Sequence, residues 1–193
     1  MVHAQSMRTA KTSLIAAGTR SISTRSRSCV FLCGLPGSGK SSVIAARWGV
    51  HSGQPRSGKS LLLDLDIVMK AHPRYLASDP KAIYADPKAY AWADEQVEAQ
   101  YQAALLDETL GTIICDGTGA KLERRLQRMH DARRSGCRIK MLLVRVSIAT
   151  AERRNAQRKR QVTFCLTRHR CVALCGIITT TTRAHVRRCH ARS

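Results

Sequence analysis

Gly34-Leu35-Pro36-Gly37-Ser38-Gly39-Lys40-Ser41 places glycines, a lysine and a hydroxyl at the spacing G-x-x-x-x-G-K-[ST]. The chemistry this spacing serves is the holding of a polyphosphate. Glycines let successive backbone N–H groups turn inward and approach phosphate oxygens closely. A helix opening at the end of the loop adds an N-terminus that favours negative charge. Lys40 then reaches the β- and γ-phosphates, Ser41 offers its hydroxyl to Mg²⁺, and Ser42 follows in the same turn. The expected ligand is ATP or GTP with Mg²⁺. A second stretch, Gly53-Gln54-Pro55-Arg56-Ser57-Gly58-Lys59-Ser60, satisfies the same pattern. It follows a loop and precedes the strand-like Leu61-Leu62-Leu63. Without a helix N-terminus no anion site is assembled, and this stretch reads as a basic surface loop.

Carboxylates supply the second half of the chemistry. Asp64 and Asp66 flank the end of the strand expected at Leu61–Leu65. In an open parallel sheet, ligands bind beyond the carboxyl ends of the strands. A carboxylate there can hold an acceptor hydroxyl and take its proton as the γ-phosphate departs. The plainer reading of Asp66 is a strand-end cap or a solvated acid. Asp116 ends the apolar run Thr-Ile-Ile-Cys in the manner of a Walker B acid, which orients Mg²⁺. Gly117-Thr118-Gly119 follows and can bring backbone close to a ligand.

The ordered set resembles the zeta toxin family of P-loop kinases: the phosphate loop, then Asp66 with His72-Pro73, then a strand ending in Asp116-Gly117-Thr118-Gly119. The resemblance runs from about Cys29 to Val162. It implies phosphorylation of UDP-N-acetylglucosamine, or a related nucleotide sugar, on a sugar hydroxyl. It also implies Asp66 as catalytic base, and Asp116 with Thr118 as holders of the acceptor. The family's usual acid at this strand end is Glu, so Asp116 is one methylene shorter. From a basic lid helix it implies arginines that steady the transferring phosphoryl group, here Arg153 first, with Arg158 and Arg160 as an unordered pair. An Arg fork suits charge spread over several oxygens, although an Arg on a helix is most often simply solvated. Another small-molecule P-loop kinase, for a sugar or a nucleotide, is an alternative. A nucleotide-binding remnant without catalysis is a second.

The elements that must position these residues follow from apolar periodicity. Cys29–Cys33 reads as a buried strand, Ser41–Trp48 as a helix stopped by Gly49, and 51–60 as a loop. Pro73, Pro80 and Pro87 punctuate an irregular stretch. A long helix is expected from about Tyr90 to Leu110, closed by Gly111, and a strand at Thr112–Cys115. Ala120–Arg134 reads as an amphipathic helix with Leu122, Leu126 and Met129 on one side. Ile139–Val146 completes the strands and Ala149–Arg160 forms a basic helix. Strands alternating with helices predict a mostly parallel sheet covered on both faces; with the phosphate loop and the family resemblance, this implies a three-layer α/β P-loop NTPase/kinase fold. The domain is expected over 29–162, between a basic segment at 1–28 and an irregular Cys/Thr-rich tail at 163–193.

Composition bounds these readings. The chain has 193 residues, enough for one domain with a proper core, and only 4% aromatics, so that core should be aliphatic. No run approaches the roughly 18 apolar residues of a membrane span, which predicts a soluble protein. The net charge of +20 lies in the flanks: residues 1–63 and 153–193 carry no acid, while 64–152 is balanced. A surface that tracks phosphates should carry its charge within the folded domain, so the pattern argues against a dedicated nucleic-acid role. The Arg- and Ser-bearing, acid-free N-terminus reads equally as a mitochondrial or plastid transit peptide or as a basic tail of a cytoplasmic protein. Eight cysteines in such a chain are expected to be reduced thiols. A zinc site from Cys165, Cys171, Cys175 and Cys189 with His169, His185 and His190 is weakly supported by their spacing. No protein inhibitor can be read from the sequence.

Overall fold

A computed structural model describes residues 27–117 and 121–158, together with the backbone of a two-residue strand at Cys189–His190. Thr118, Gly119, Arg160 and the tail, apart from that strand, lie outside the described residues. The elements run β1 (Ser28–Cys33), α1 (Lys40–Trp48), β2 (Arg56–Ser57), β3 (Ser60–Leu63), α2 (Leu65–Lys70), α3 (Pro80–Ala85), α4 (Pro87–Leu106), β4 (Thr112–Cys115), α5 (Leu122–Arg134), β5 (Arg138–Arg145), α6 (Ile148–Ala156) and β6 (Cys189–His190). The sheet order is β2-β3-β4-β1-β5-β6. Every pairing is parallel except that of β2 with β3. This is the expected α/β architecture.

Alternation along β1 builds both sides of the core. Cys29 and Phe31 point to one face, where α4 and α5 pack through Tyr101, Ala104, Leu105 and Ala132. Val30 and Leu32 point to the other, against Ile44 of α1 and Leu142 and Val144 of β5. A strand buried on both faces reads as a continuous apolar run, which is why Cys29–Cys33 was recognisable. The third cluster joins Val68 and Met69 of α2, Ile83 of α3, and Ala89, Ala93 and Val97 of α4. It braces the segment that follows β3.

Several boundaries differ from expectation, each for a local reason. The second G-x-x-x-x-G-K-S stretch forms the β2–β3 hairpin, with Arg56 opposite Leu61 and Ser57 opposite Ser60. Its Lys59 carbonyl accepts from the N–H groups of Gly111 and Thr112 at 2.8 and 3.0 Å. The strand at Leu61–Leu65 ends at Leu63, because Asp64 accepts from the Asp66 N–H at 2.9 Å and caps α2. The proline-punctuated stretch is helical in two places. Asp79 caps α3 and Asp86 caps α4, with Pro80 and Pro87 in the first turn of each. The α4 helix stops at Leu106, short of Leu110, because Arg27 takes its terminal carbonyls: Nη2 to Ala104 at 2.8 Å and Nη1 to Leu105 at 3.0 Å. On α5 the buried positions are Arg125 and Ala132, and Leu126 is 44% exposed. The inward stripe is Leu122, Arg125, Met129 and Ala132, at three- and four-residue spacing.

The described cysteines, Cys29, Cys33, Cys115 and Cys137, are buried thiols. No group of metal-ligating side chains occurs among the described residues; of the tail cysteines and histidines read for zinc, only the backbone of Cys189 and His190 in β6 is described. No helix of the described residues is long and apolar enough to cross a membrane.

Candidate active site

The loop after β1 is built by its glycines. Gly37 and Gly39 have φ of 80° and 90°, a region that L side chains rarely adopt. A Cβ on Gly37 would also lie 2.3 Å from the carbonyl oxygen of Ala151 in α6. Ser38 N–H bonds the Leu35 carbonyl at 3.0 Å, tightening the turn, and Gly39 caps α1. Lys40 crosses the loop, with Nζ 2.9 Å from the Gly34 carbonyl and 3.2 Å from that of Leu35. Ser41 and Ser42 are exposed in the first turn of α1. Ser38 is 1% exposed, and its Oγ has no hydrogen-bond partner among the described residues. A buried hydroxyl without a partner is costly. Inside a Gly-lined turn at a helix N-terminus, it fits an oxyanion of a polyphosphate.

Beyond the loop the strand ends bring acids together. Asp116 follows β4, and its N–H bonds the Leu63 carbonyl of β3 at 3.0 Å. Its Oδ1 accepts from the Gly117 N–H at 2.7 Å. Burial pushes the Asp116 carboxyl up, Lys40, the Gly117 N–H and Arg125 pull it back, and the charge of Asp66 adds to the rise. Asp64 is pushed up to about 7, chiefly by burial and then by the charges of Asp116 and Asp66. Lys40, Asp64, Asp66 and Asp116 therefore share one electrostatic neighbourhood at the mouth of the loop. Such a grouping can hold a hydroxyl and move its proton, and Lys40 can meet part of a polyphosphate's charge.

The arginines arrange themselves differently from the sequence expectation. Arg153 and Arg158 are exposed, and Arg160 lies outside the described residues, as does Thr118. The arginine beside the loop is Arg154, which is partly buried; its Nη1 is 3.9 Å from the position of a Cβ on Gly39. Ala151, three residues earlier, is the α6 residue against Gly37, so helical periodicity puts Arg154 on the same face. Arg125 of α5 was also missed. It is 8% exposed, and its Nη1 donates to the Leu32 carbonyl at 2.8 Å and to Cys33 Sγ at 2.7 Å. Its place in the Leu122–Met129–Ala132 stripe was the available signal.

A family model described as an AAA domain matches residues 29–171, more than half of the chain. No curated protein matches the sequence. Among solved structures, the chain is similar to one from the PezAT chromosomal toxin–antitoxin system of Streptococcus pneumoniae, at 16% identity and a TM-score of 0.52. The match covers 65% of this chain and 50% of that one, so this chain spans half the length of that relative. It also matches the APS kinase CysC of Mycobacterium tuberculosis, solved with AMPPNP and APS, at 18% identity and a TM-score of 0.44, covering 68% and 70% of the two chains. A sugar kinase from Janibacter matches at 14% identity and a TM-score of 0.45, covering 84% and 85%. The PezAT likeness is one of fold. The chain belongs to the AAA domain family, with an α/β P-loop NTPase fold.

Proposed function

We propose that the chain is a small-molecule kinase that moves the γ-phosphate of ATP or GTP to a hydroxyl group. The observation that carries this reading is the convergence of Lys40 with Asp64, Asp66 and Asp116 beside a phosphate loop whose Ser38 hydroxyl lacks a protein partner. Backbone N–H groups of the loop and of the first turn of α1, through Ser42, bind and orient the polyphosphate together with Lys40. Mg²⁺, when bound at Ser41, supplies positive charge to the phosphate oxygens. Asp66 accepts the proton of the attacking hydroxyl. A bond forms between that oxygen and the γ-phosphorus, the bond to the bridging oxygen breaks, and the nucleoside diphosphate departs. Asp116, with Thr118, holds the acceptor.

Arg154 is the α6 arginine placed to meet charge on the transferring group, taking the role first read for Arg153; Arg158 and Arg160 lie further along the chain. As acceptor we propose a nucleotide sugar of the UDP-N-acetylglucosamine kind. The support is the zeta-toxin-like order of motifs and the fold shared with a chain of a toxin–antitoxin system.

The test is a phosphate-transfer assay with labelled ATP or GTP and a panel of nucleotide sugars, sugars and nucleotides. Wild type should label an acceptor. Asp66→Asn should lower turnover by about 10²–10⁴-fold with nucleotide affinity little changed. Lys40→Ala should remove Mg-nucleotide binding, and Lys59→Ala, in the hairpin, should not. Transfer to a sugar or nucleotide alone would move the acceptor class. Nucleotide binding without transfer to any acceptor would favour a non-catalytic nucleotide-binding protein.

A further inference from the structure

Arg125 is one of four buried polar or charged residues among those described. A buried guanidinium is expensive unless its surroundings compensate it, so its contacts carry information. Among the described residues Arg125 forms no salt bridge, although its charge acts on the Asp116 carboxyl. Its Nη1 instead donates to the Leu32 carbonyl and to Cys33 Sγ, at 2.8 and 2.7 Å. These are the last two residues of β1, immediately before Gly34. On its other side the guanidinium meets the turn after β4: a Cβ on Gly117 would lie 3.2 Å from Nη2.

The strand register explains why a side chain is needed here. The pairing of β1 with β4 ends at Phe31 opposite Cys115, while β1 runs on through Leu32 and Cys33. Past that point β1 and the chain leaving β4 part company, one toward the phosphate loop and the other toward Asp116 and Gly117. Arg125 stands in the fork. Asp116 is held on its far side by the Leu63 carbonyl of β3, and the guanidinium lies against Gly117 on the near side.

We propose that Arg125 is a positioning residue for phosphoryl transfer: by bridging the exits of β1 and β4, it sets the spacing between the phosphate loop and the Asp116–Gly117 turn. This rests on the kinase reading above. A planar guanidinium reaches both exits at once, whereas an ammonium on a linear stem reaches one. Misplacing reacting groups by about 1 Å costs on the order of 10²-fold in rate. The loop's own N–H groups and Lys40 do not need the bridge in order to bind nucleotide.

The experiment compares Arg125→Met and Arg125→Lys with wild type in the full chain. It measures thermal melting, amide exchange over 31–34 and 115–117, Mg-nucleotide affinity, and steady-state transfer to the best acceptor found. Arg125→Met should melt cooperatively and bind Mg-nucleotide much as wild type does. Its exchange should rise at both strand exits together, and its kcat should fall by about 10–100-fold. Arg125→Lys should recover part of the loss. Wild-type kcat in Arg125→Met, or faster exchange at one exit only, would overturn the proposal. A parallel loss of nucleotide affinity and kcat would reduce Arg125 to a structural role and overturn it too. If Arg125→Met does not fold, Arg125→Lys carries the same comparison. If wild type itself transfers no phosphate, the kinase reading falls and the positioning role with it, and the exchange data separately decide whether the two exits are tied through Arg125.

Discussion

Asp64 is half-buried where α2 begins, and its carboxyl is pushed up to about 7 by desolvation there and by the charges of Asp116 and Asp66. The same group in an unfolded chain titrates near 3.8. Between these values the folded chain holds a proton that the unfolded chain has released. Stability from this group is therefore greatest below the unfolded value, falls as pH rises toward 7, and levels off above it. Asp64→Asn keeps an oxygen to accept the Asp66 N–H but does not titrate. Its stability relative to wild type should grow by on the order of 2 kcal/mol from about pH 5 to pH 8. Chemical denaturation across that range checks this, and parallel profiles would remove Asp64 from the account. The grouping of Lys40, Asp66 and Asp116 was legible in the sequence because each ends a local motif next to a strand. The places of Arg154 and Arg125 were not, because they depend on which face a helix presents. On α6 a one-residue change of phase exchanges an exposed Arg153 for an Arg154 beside Gly39.

At the level of elements, the strands were legible because they are short apolar runs, and the helix ends were not. The Asp-Pro pairs at Asp79-Pro80 and Asp86-Pro87 carry an N-cap followed by a first-turn proline. Counted as breakers, the prolines hid the two helices they open. The C-terminus of α4 is set from a distance of 77 to 83 residues, by Arg27 donating to Ala104, Leu105 and Leu110 carbonyls. Locally, the C-cap Asp107 accepts from the Thr109 N–H at 2.9 Å, but no local pattern encodes the Arg27 contacts. A cation at a helix C-terminus also meets the favourable end of the backbone dipoles. Arg27→Ala should cost about 1–3 kcal/mol, since bonds to a charged donor are lost from terminal carbonyls. It should speed amide exchange near residues 104–111 and leave nucleotide affinity unchanged. A melting temperature equal to that of wild type would show the cap to be dispensable.

At the scale of the whole molecule, the sheet order follows from one fact legible in the sequence, that β1 is apolar on both faces and belongs in the middle. Its neighbour β4 presents Ile113 opposite Cys29 and Ile114 opposite Val30, while β5 presents Ile139 opposite Cys29 and Leu142 opposite Leu32 but Lys140 opposite Val30. What could not be foreseen is the β6 strand, because two residues from a basic tail carry no apolar period; Cys189 and His190 align with Val144 and Arg145. Every residue of the three core clusters lies between Cys29 and Val144. The β6 pairing adds a two-residue ladder on the far side of β5, and a net hydrogen bond contributes only about 0.5–1.5 kcal/mol. A chain ending at Val162 should therefore melt within a few degrees of the full chain and keep its nucleotide affinity. Limited proteolysis should trim the full chain from its C-terminal end first. A drop of many degrees on truncation would place residues 163–193 in the core. If a chelator alone reproduced that drop in the full chain, the tail's cysteines and histidines would be holding a metal that contributes to folding.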